Sequence, residues 1–443
     1  MTNTRFLALL LLLITLAGCG GGGNSSTPPP PEPTPAPTPE PPGLNTGPEA
    51  CVNGSAGDFA CSGVDLRSRV PLEDMEGITG NDLWGWVDPR NGDEYALMGM
   101  TNGTAFINVT DPEAPVFMGI LPTQTTGSTW RDIKVSDDHA FIVADAAGAH
   151  GMQVFDLTRL RDLSAPETFA ADVVYGEFQN AHNLAINEAS GFAYAVGTNT
   201  CGEGLHMIDI STPLNPLFAG CHSAIDTHDA QCVDYIGPDA DHAGKEICFS
   251  AANLHDPDAN ATTDGVARLE IADVTTKSSP VQISLSAYPE SVFSHQGWLT
   301  ENHQFFLLGD ELDEQDRGVP TRTHVFDVTD LDAPVHLFAY EAPTPSIDHN
   351  LYVLGNRVFH ANYTTGLRVV EFADLANGQV DEIAFFDTFP EDDDVDFKGA
   401  WSVYPYLPSG NLLVSDRSNG LFVLRLADAA NAGERIRPHP TLI

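Results

Sequence analysis

The sequence predicts an all-β fold, a β-propeller of seven blades whose ring is closed by an N-terminal strand in the last blade. Three observations carry this. Paired motifs, Arg131-Asp132, His182-Asn183, His228-Asp229, His295-Gln296 and His349-Asn350, recur about every 50 positions, each just ahead of an apolar, strand-like run. Between them runs a second repeat, an apolar segment punctuated by Asp, Thr and Pro, as in AFINVTDPEAPVFMGI from Ala105 and HVFDVTDLDAPVHLFAY from His324. The last unit ends at Leu426 one strand short, and residues 64–72 (VDLRSRVPL) stand as an orphan strand before the first unit. Joining these two segments in one blade removes a free edge.

Each unit reads as strands A and B, a variable loop, strand C, an Asp/Thr/Pro turn and strand D. Further C-to-D elements start at Gln153 (QVFDLTRLRDLSAPETFA), His206 (HMIDISTPLNPLFAGC) and Arg268. Apolar and β-branched runs favour strands, and Asp, Thr and Pro favour the turns between them. Proline cannot donate to a ladder, so its place after the turn suits the start of an outer strand. The related sites nearer the ends read Trp84-Gly85 and Gly399-Ala400.

The chain divides into residues 1–18, 19–50 and 51–443. Residues 1–18 read as a signal peptide, with Arg5 and an apolar stretch too short to span a bilayer. The run Leu16-Ala17-Gly18-Cys19 resembles a bacterial lipobox, which implies a diacylglycerol on Cys19; Gly20 in place of Asp implies sorting to the outer membrane or cell surface. Residues 20–43, GGGGNSSTPPPPEPTPAPTPEPPG, give a flexible start and an extended polyproline stalk. The remaining six cysteines, Cys51, Cys61, Cys201, Cys221, Cys232 and Cys248, fit disulfides formed after export. Close pairs in chain order are the simplest of many connectivities.

With 62 acidic against 20 basic residues and a net charge of −42, the chain lacks the basic patch that nucleic-acid binding requires. The acidic excess fits a solvated surface, cation binding by clustered carboxylates, or both.

The repeat matches the short LVIVD type, and the order of lipobox, proline stalk and repeats resembles the choice-of-anchor B proteins of bacteria, over roughly residues 60–426. The resemblance implies a secreted or surface-attached propeller and no particular activity.

In a propeller the first residues of the A strands and the B-to-C loops open on one face. The first column places Asp132, His182, His228, Asp229, His295 and His349 there, and the B-strand ends add Asn102, Asp145, Asn199, Asn253, Asp310, Glu311, His360 and Asp416. Imidazoles and carboxylates around one concave mouth suit a divalent metal, zinc or calcium, or a polar ligand. The competing reading is a per-blade staple that satisfies buried backbone groups. Residues 253–264 (NLHDPDANATTD) and 309–317 (GDELDEQDR) are oxygen-rich insertions on the same face, and Glu391-Asp392-Asp393-Asp394 lies between the last two blades. Neither insertion matches an EF-hand, and the chain has no G-x-S-x-G, no H-E-x-x-H and no phosphate-binding loop. The expectation is a monomeric, lipid-anchored binding module for a protein, glycan or small molecule. A metal-dependent hydrolase or lactonase using the same mouth is the alternative.

Overall fold

The computed structural model describes residues 46–254 and 267–427. The signal peptide, Cys19, the stalk and most of the 253–264 insertion lie outside the described residues. No helix among the described residues is long and apolar enough to cross a membrane.

Seven antiparallel sheets form the ring. Their innermost strands are Gly80–Val87, Arg131–Ser136, Asn183–Asn187, Asp226–Asp234, Ser294–Leu299, Leu351–Leu354 and Ala400–Tyr404, which define blades one to seven. Each inner strand touches the next, and the last touches the first. Apolar clusters fill the space between neighbouring blades, such as Phe106, Phe155 and Phe169 between blades one and two, or Phe249 and Phe306 between blades four and five.

Closure is as expected. Val64–Val70 pairs antiparallel with Gly420–Leu426 and supplies the outer strand of blade seven. The strand Phe59–Ser62 joins the outer edge of blade six through Cys61 opposite Phe386. The largest apolar cluster accordingly unites this N-terminal segment with blades six, seven and one.

The Asp/Thr/Pro turns have a local cause. In blades one to five the side chain of Asn108, Asp156, Asp209, Asp273 or Asp327 accepts the backbone N–H two residues on, an Asx turn that ends strand C. In blades one, three, four and five the outer strand then begins directly after Pro115, Pro216, Pro280 or Pro334. Blade two departs from the expected pattern. A 3-10 turn, Leu157–Leu160, lengthens its connection, and Glu167–Thr168 pairs parallel with the outer strand of blade one instead. The outer strand of blade two is Val173–Tyr175. Gly119 permits the added strand, since it has φ +139° and a Cβ there would meet the Glu167 carbonyl at 2.0 Å.

Disulfides join Cys51–Cys61, Cys201–Cys221 and Cys232–Cys248, the pairs expected from chain order. Cys232 faces Cys248 on adjacent strands of blade four, and Cys221 sits on the outer strand of blade three. Cys51–Cys61 closes the loop that leads into the closing strand. Deleting residues 46–72 should therefore give an aggregating or unfolded product. Cys51→Ser/Cys61→Ser should fold but lose about 2–3 kcal/mol in urea unfolding, the chain-entropy value for so short a loop. A stable monomer without residues 46–72 would contradict closure by this segment.

Candidate functional site

Four inner strands begin with a break in ladder register at the same place: Gly80/Leu83, Thr227/Asp229, Ser294/Gly297 and Ala400/Ser402. Such a bulge swings a side chain out of the pleat alternation and re-aims it. His228, His295 and Trp401 sit at these breaks, while His182 and His349 lie just before their ladders begin. The true column is thus Asn81, Arg131, His182, His228, His295, His349 and Trp401. Its second members are Asp82, Asp132, Asn183, Asp229, Gln296, Asn350 and Ser402. The expected end members, Trp84-Gly85 and Gly399-Ala400, are out of step because a bulge adds residues that the apolar pattern does not reveal. Gly85 instead leaves room for the Tyr404 ring, which a Cβ would meet at 2.2 Å.

The two halves of each pair do different work. Second members tie one blade to the next. Asp132 accepts Leu184 N at 2.5 Å, and Asn183 Nδ2 donates to His228 O at 2.9 Å. Gln296 donates to Leu351 O at 3.1 Å and accepts Leu351 N at 2.9 Å. Asp132 also holds buried Lys134 at 2.5 Å, and Asp82 lies 3.4 Å from the same ammonium. Burial would raise the Asp132 carboxyl, but Lys134 and its hydrogen bonds hold it below the usual range. Asp132 is therefore part of a staple.

The first members from His182 to Trp401 form an arc of rings. Centroids are 4.4 Å apart from His182 to His228, 4.4 Å from His228 to His295, and 4.3 Å from His295 to His349. Trp401 continues the arc 4.6 Å beyond His349, and Trp130 flanks His182 at 6.3 Å. Nδ1 of His228 lies 2.9 Å from His295 O, and Nδ1 of His349 lies 2.6 Å from Trp401 O. Nδ1 of His182 lies 3.0 Å from Asp145 Oδ2. A carbonyl partner requires the proton on Nδ1, which leaves Nε2 as the electron-pair donor. Burial, then the neighbouring imidazoles, hold His295 well below the usual histidine range, and burial takes His349 down to about 3.

Glu311 reaches over this arc from the end of the second strand of blade five. Its Oε2 is 3.7 Å from His295 Nε2, its Oε1 is 3.7 Å from His349 Nε2, and Tyr363 OH donates to Oε1 at 2.9 Å. Burial pushes the Glu311 carboxyl up to about 7. Beside the arc opens a cavity of about 330 Å³ lined by Asp145, His182, Glu203, His228, Asn253 and Phe293.

The other candidates lie elsewhere. Asp229 lines a second cavity, about 310 Å³, toward the far ends of the inner strands, with Trp84, Lys134, Trp298 and Tyr352. Asp310 accepts Val292 N and Phe293 N at 2.7 Å and Tyr288 OH at 2.9 Å, which shapes the entry to blade five. His360 Nε2 is 3.1 Å from Thr323 Oγ1, wedged between blades five and six away from the arc. Trp130, Tyr363 and Trp401 were missed. Only Trp401 had a sequence signal, its place in the repeat, and the bulge hid it.

No family model matches the chain, and no curated protein matches its sequence. Among solved structures, the β-propeller domain of Cps50 (Swd1) from Myceliophteria thermophila is 11% identical with a TM-score of 0.52, over 82% of this chain and 98% of that one. A Lactobacillus plantarum protein is 12% identical, TM-score 0.49, over 76% and 89%. A candidate 6-phosphogluconolactonase of Bacteroides fragilis is 10% identical, TM-score 0.49, over 80% and 95%. At such identity the likeness is one of fold.

The depressed histidines give a pH test. An unfolded imidazole takes up a proton near pH ~6.5 and the buried one does not, so each destabilises the fold as pH falls below that value. His349→Gln removes this effect. Its stability deficit against the parent, read by urea unfolding in chelator, should shrink by up to ~1.4 kcal/mol per pH unit below ~6.5. A deficit independent of pH would mean that the folded imidazole titrates normally.

Proposed function

We propose that this protein is an exported, lipid-anchored binding module whose mouth holds a divalent transition metal ion through His295, His349 and Glu311. One observation carries the reading: a ring nitrogen of each imidazole and a carboxylate oxygen of Glu311 lie within 4.8 Å of one another, Nε2 of each imidazole is 3.7 Å from Glu311, and His349 Nδ1 is tied to a backbone carbonyl. Metal-ligating histidines characteristically anchor their second nitrogen in this way. Two nitrogens and one oxygen suit zinc or a neighbouring metal better than calcium, and they leave positions open for a ligand. His228 and His182 extend the row toward the adjoining cavity, which gives room for the rest of that ligand.

Attachment to a membrane rests on the lipobox at Cys19 and the proline stalk, and the three disulfides fit an oxidising compartment. The LVIVD-type repeats and their layout keep the choice-of-anchor B resemblance as the family reading. The cavity also favours a second reading, metal-dependent hydrolysis, because a substrate there would lie beside a metal able to activate water.

Protein stripped with chelator should gain melting temperature on addition of zinc. His295→Ala/His349→Ala should lose that gain while keeping a propeller circular-dichroism spectrum. A parent with no zinc response, and a double variant that simply melts lower, would leave the histidines as staples. Hydrolysis of lactone or ester substrates by zinc-loaded parent, absent in the double variant, would replace the binding module with the enzyme. Cys19→Ser should release the protein from salt-washed membranes, and its retention there would overturn the lipoprotein reading.

A further inference from the structure

The pleat of a strand repeats every two residues, so the positions two beyond the second members of the column return to the channel. Blades five, six, seven and one place Trp298, Tyr352, Tyr404 and Trp84 there, two residues after Gln296, Asn350, Ser402 and Asp82. Blades two, three and four place Lys134, Ala185 and Gln231 at the same position. All seven side chains line the cavity of about 310 Å³ toward the far ends of the inner strands. One side of that cavity is therefore aromatic. Ring centres are 4.9 Å apart from Trp298 to Tyr352, 5.9 Å from Tyr352 to Trp84 and 5.1 Å from Trp84 to Tyr404, each pair edge to face. Lys134 Nζ lies 4.8 Å from the Trp84 ring centre, so these walls already hold one ammonium.

Charge in this cavity is unbalanced. The carboxylates of Glu188, Asp229, Asp234 and Glu301 line it, against the ammonium of Lys134, which Asp132 and Asp82 already hold. His303 accepts Ile236 N through Nδ1 at 3.2 Å and so stands neutral. Asp234 accepts Asn187 Nδ2 and Glu301 accepts Gly355 N, neutral donors both. Asp229 accepts Ala230 N at 2.6 Å and forms no ion pair among the described residues. We propose that this cavity binds an organic cation with a compact apolar body, an aryl- or alkylammonium ion, between its aromatic walls and its surplus carboxylates. Its size suits a small ligand, and aromatic faces attract ammonium groups. The carboxylates favour positive charge over neutral or negative, and Asp234 and Glu301 carry that field out to solvent, where both are exposed. Burial pushes the carboxyls of Asp229 and Glu188 up to about 7, a cost that a bound cation relieves. The site shares no residue with the imidazole mouth.

The test titrates the purified full chain, in chelator, with benzyltrimethylammonium, and reads calorimetric heat and tryptophan fluorescence. Benzyl alcohol and phenylacetate serve as the neutral and anionic controls. The cation should bind saturably and about tenfold more tightly than benzyl alcohol, the order of one desolvated cation–π contact, and phenylacetate should not bind. Trp298→Leu keeps apolar bulk but removes a ring, and should weaken the cation about tenfold. Asp229→Asn keeps the bond to Ala230 and should weaken the cation while leaving benzyl alcohol unchanged, which separates loss of charge from loss of fold. His295→Ala/His349→Ala should bind the cation as the parent does, so failure of this site and failure of the mouth are distinguishable. No saturable binding of the cation by the parent would overturn the proposal, and so would equal binding of benzyl alcohol, which would make the cavity a neutral apolar pocket. Binding of phenylacetate in preference would overturn it in favour of an anion on Lys134. Cation binding that is unchanged in both Trp298→Leu and Asp229→Asn would move it to the acidic surface and overturn the assignment.

Discussion

No strand ladder joins one inner strand to the next among the described residues, so the ring is only as closed as the pairing of Val64–Val70 with Gly420–Leu426 makes it. That pairing fixes blade seven against blade one, and the largest apolar cluster forms around it. A concave mouth exists only in a closed ring, because side chains from blades three to six face one another only when the blades are held at fixed angles. The arc of imidazoles therefore depends on a strand more than a hundred residues from the nearest of them in sequence.

The staple and the proposed ligand site would be two uses of one column. Second-position residues such as Asp132, Asn183 and Gln296 spend their polar groups on the neighbouring blade, whereas Asp229 bonds its own strand. Among the first-position residues, His182, His228 and His349 anchor Nδ1 and leave Nε2 unanchored. His228 and His349 do both, since their Nδ1 atoms fasten to the next blade while fixing the ring. A histidine so fastened loses little conformational entropy on taking a ligand, which is what a preorganised site requires.

Blade number, closure and all three disulfides were legible in the sequence because each follows from local pattern. Apolar runs mark strands, Asp and Pro mark turns, and neighbouring cysteines pair across short loops. The convergence of His182, His228, His295 and His349 was legible too, through the period. What the pattern hid was register. A bulge changes alignment without changing composition, so Asn81 and Trp401 were passed over for Trp84 and Gly399. Burial was hidden for a different reason: residues 309–317 read as a hydrophilic loop, yet Asp313 and Glu314 are interior, and only tertiary packing decides which way such a loop faces. Asp132, Asp310 and His360 show the converse, chemically able side chains spent on holding turns and blades.

The path by which the chain enters the ring has a mechanical meaning. Thr46 and Glu49 bond back onto Arg69 and Leu66, so the lead-in lies against the outer side of the closing strand. Tension applied from the N-terminal side passes from Cys51 to Cys61 through the disulfide and bypasses the small hairpin of Ser55–Ala56 and Phe59–Ser62. It meets the ring first where Thr46 and Glu49 bond the closing strand, then at Cys61 on the edge of blade six, before entering that strand at Val64. A tether attached there pulls on the clasp of the ring itself, and the disulfide keeps the slack out of the line.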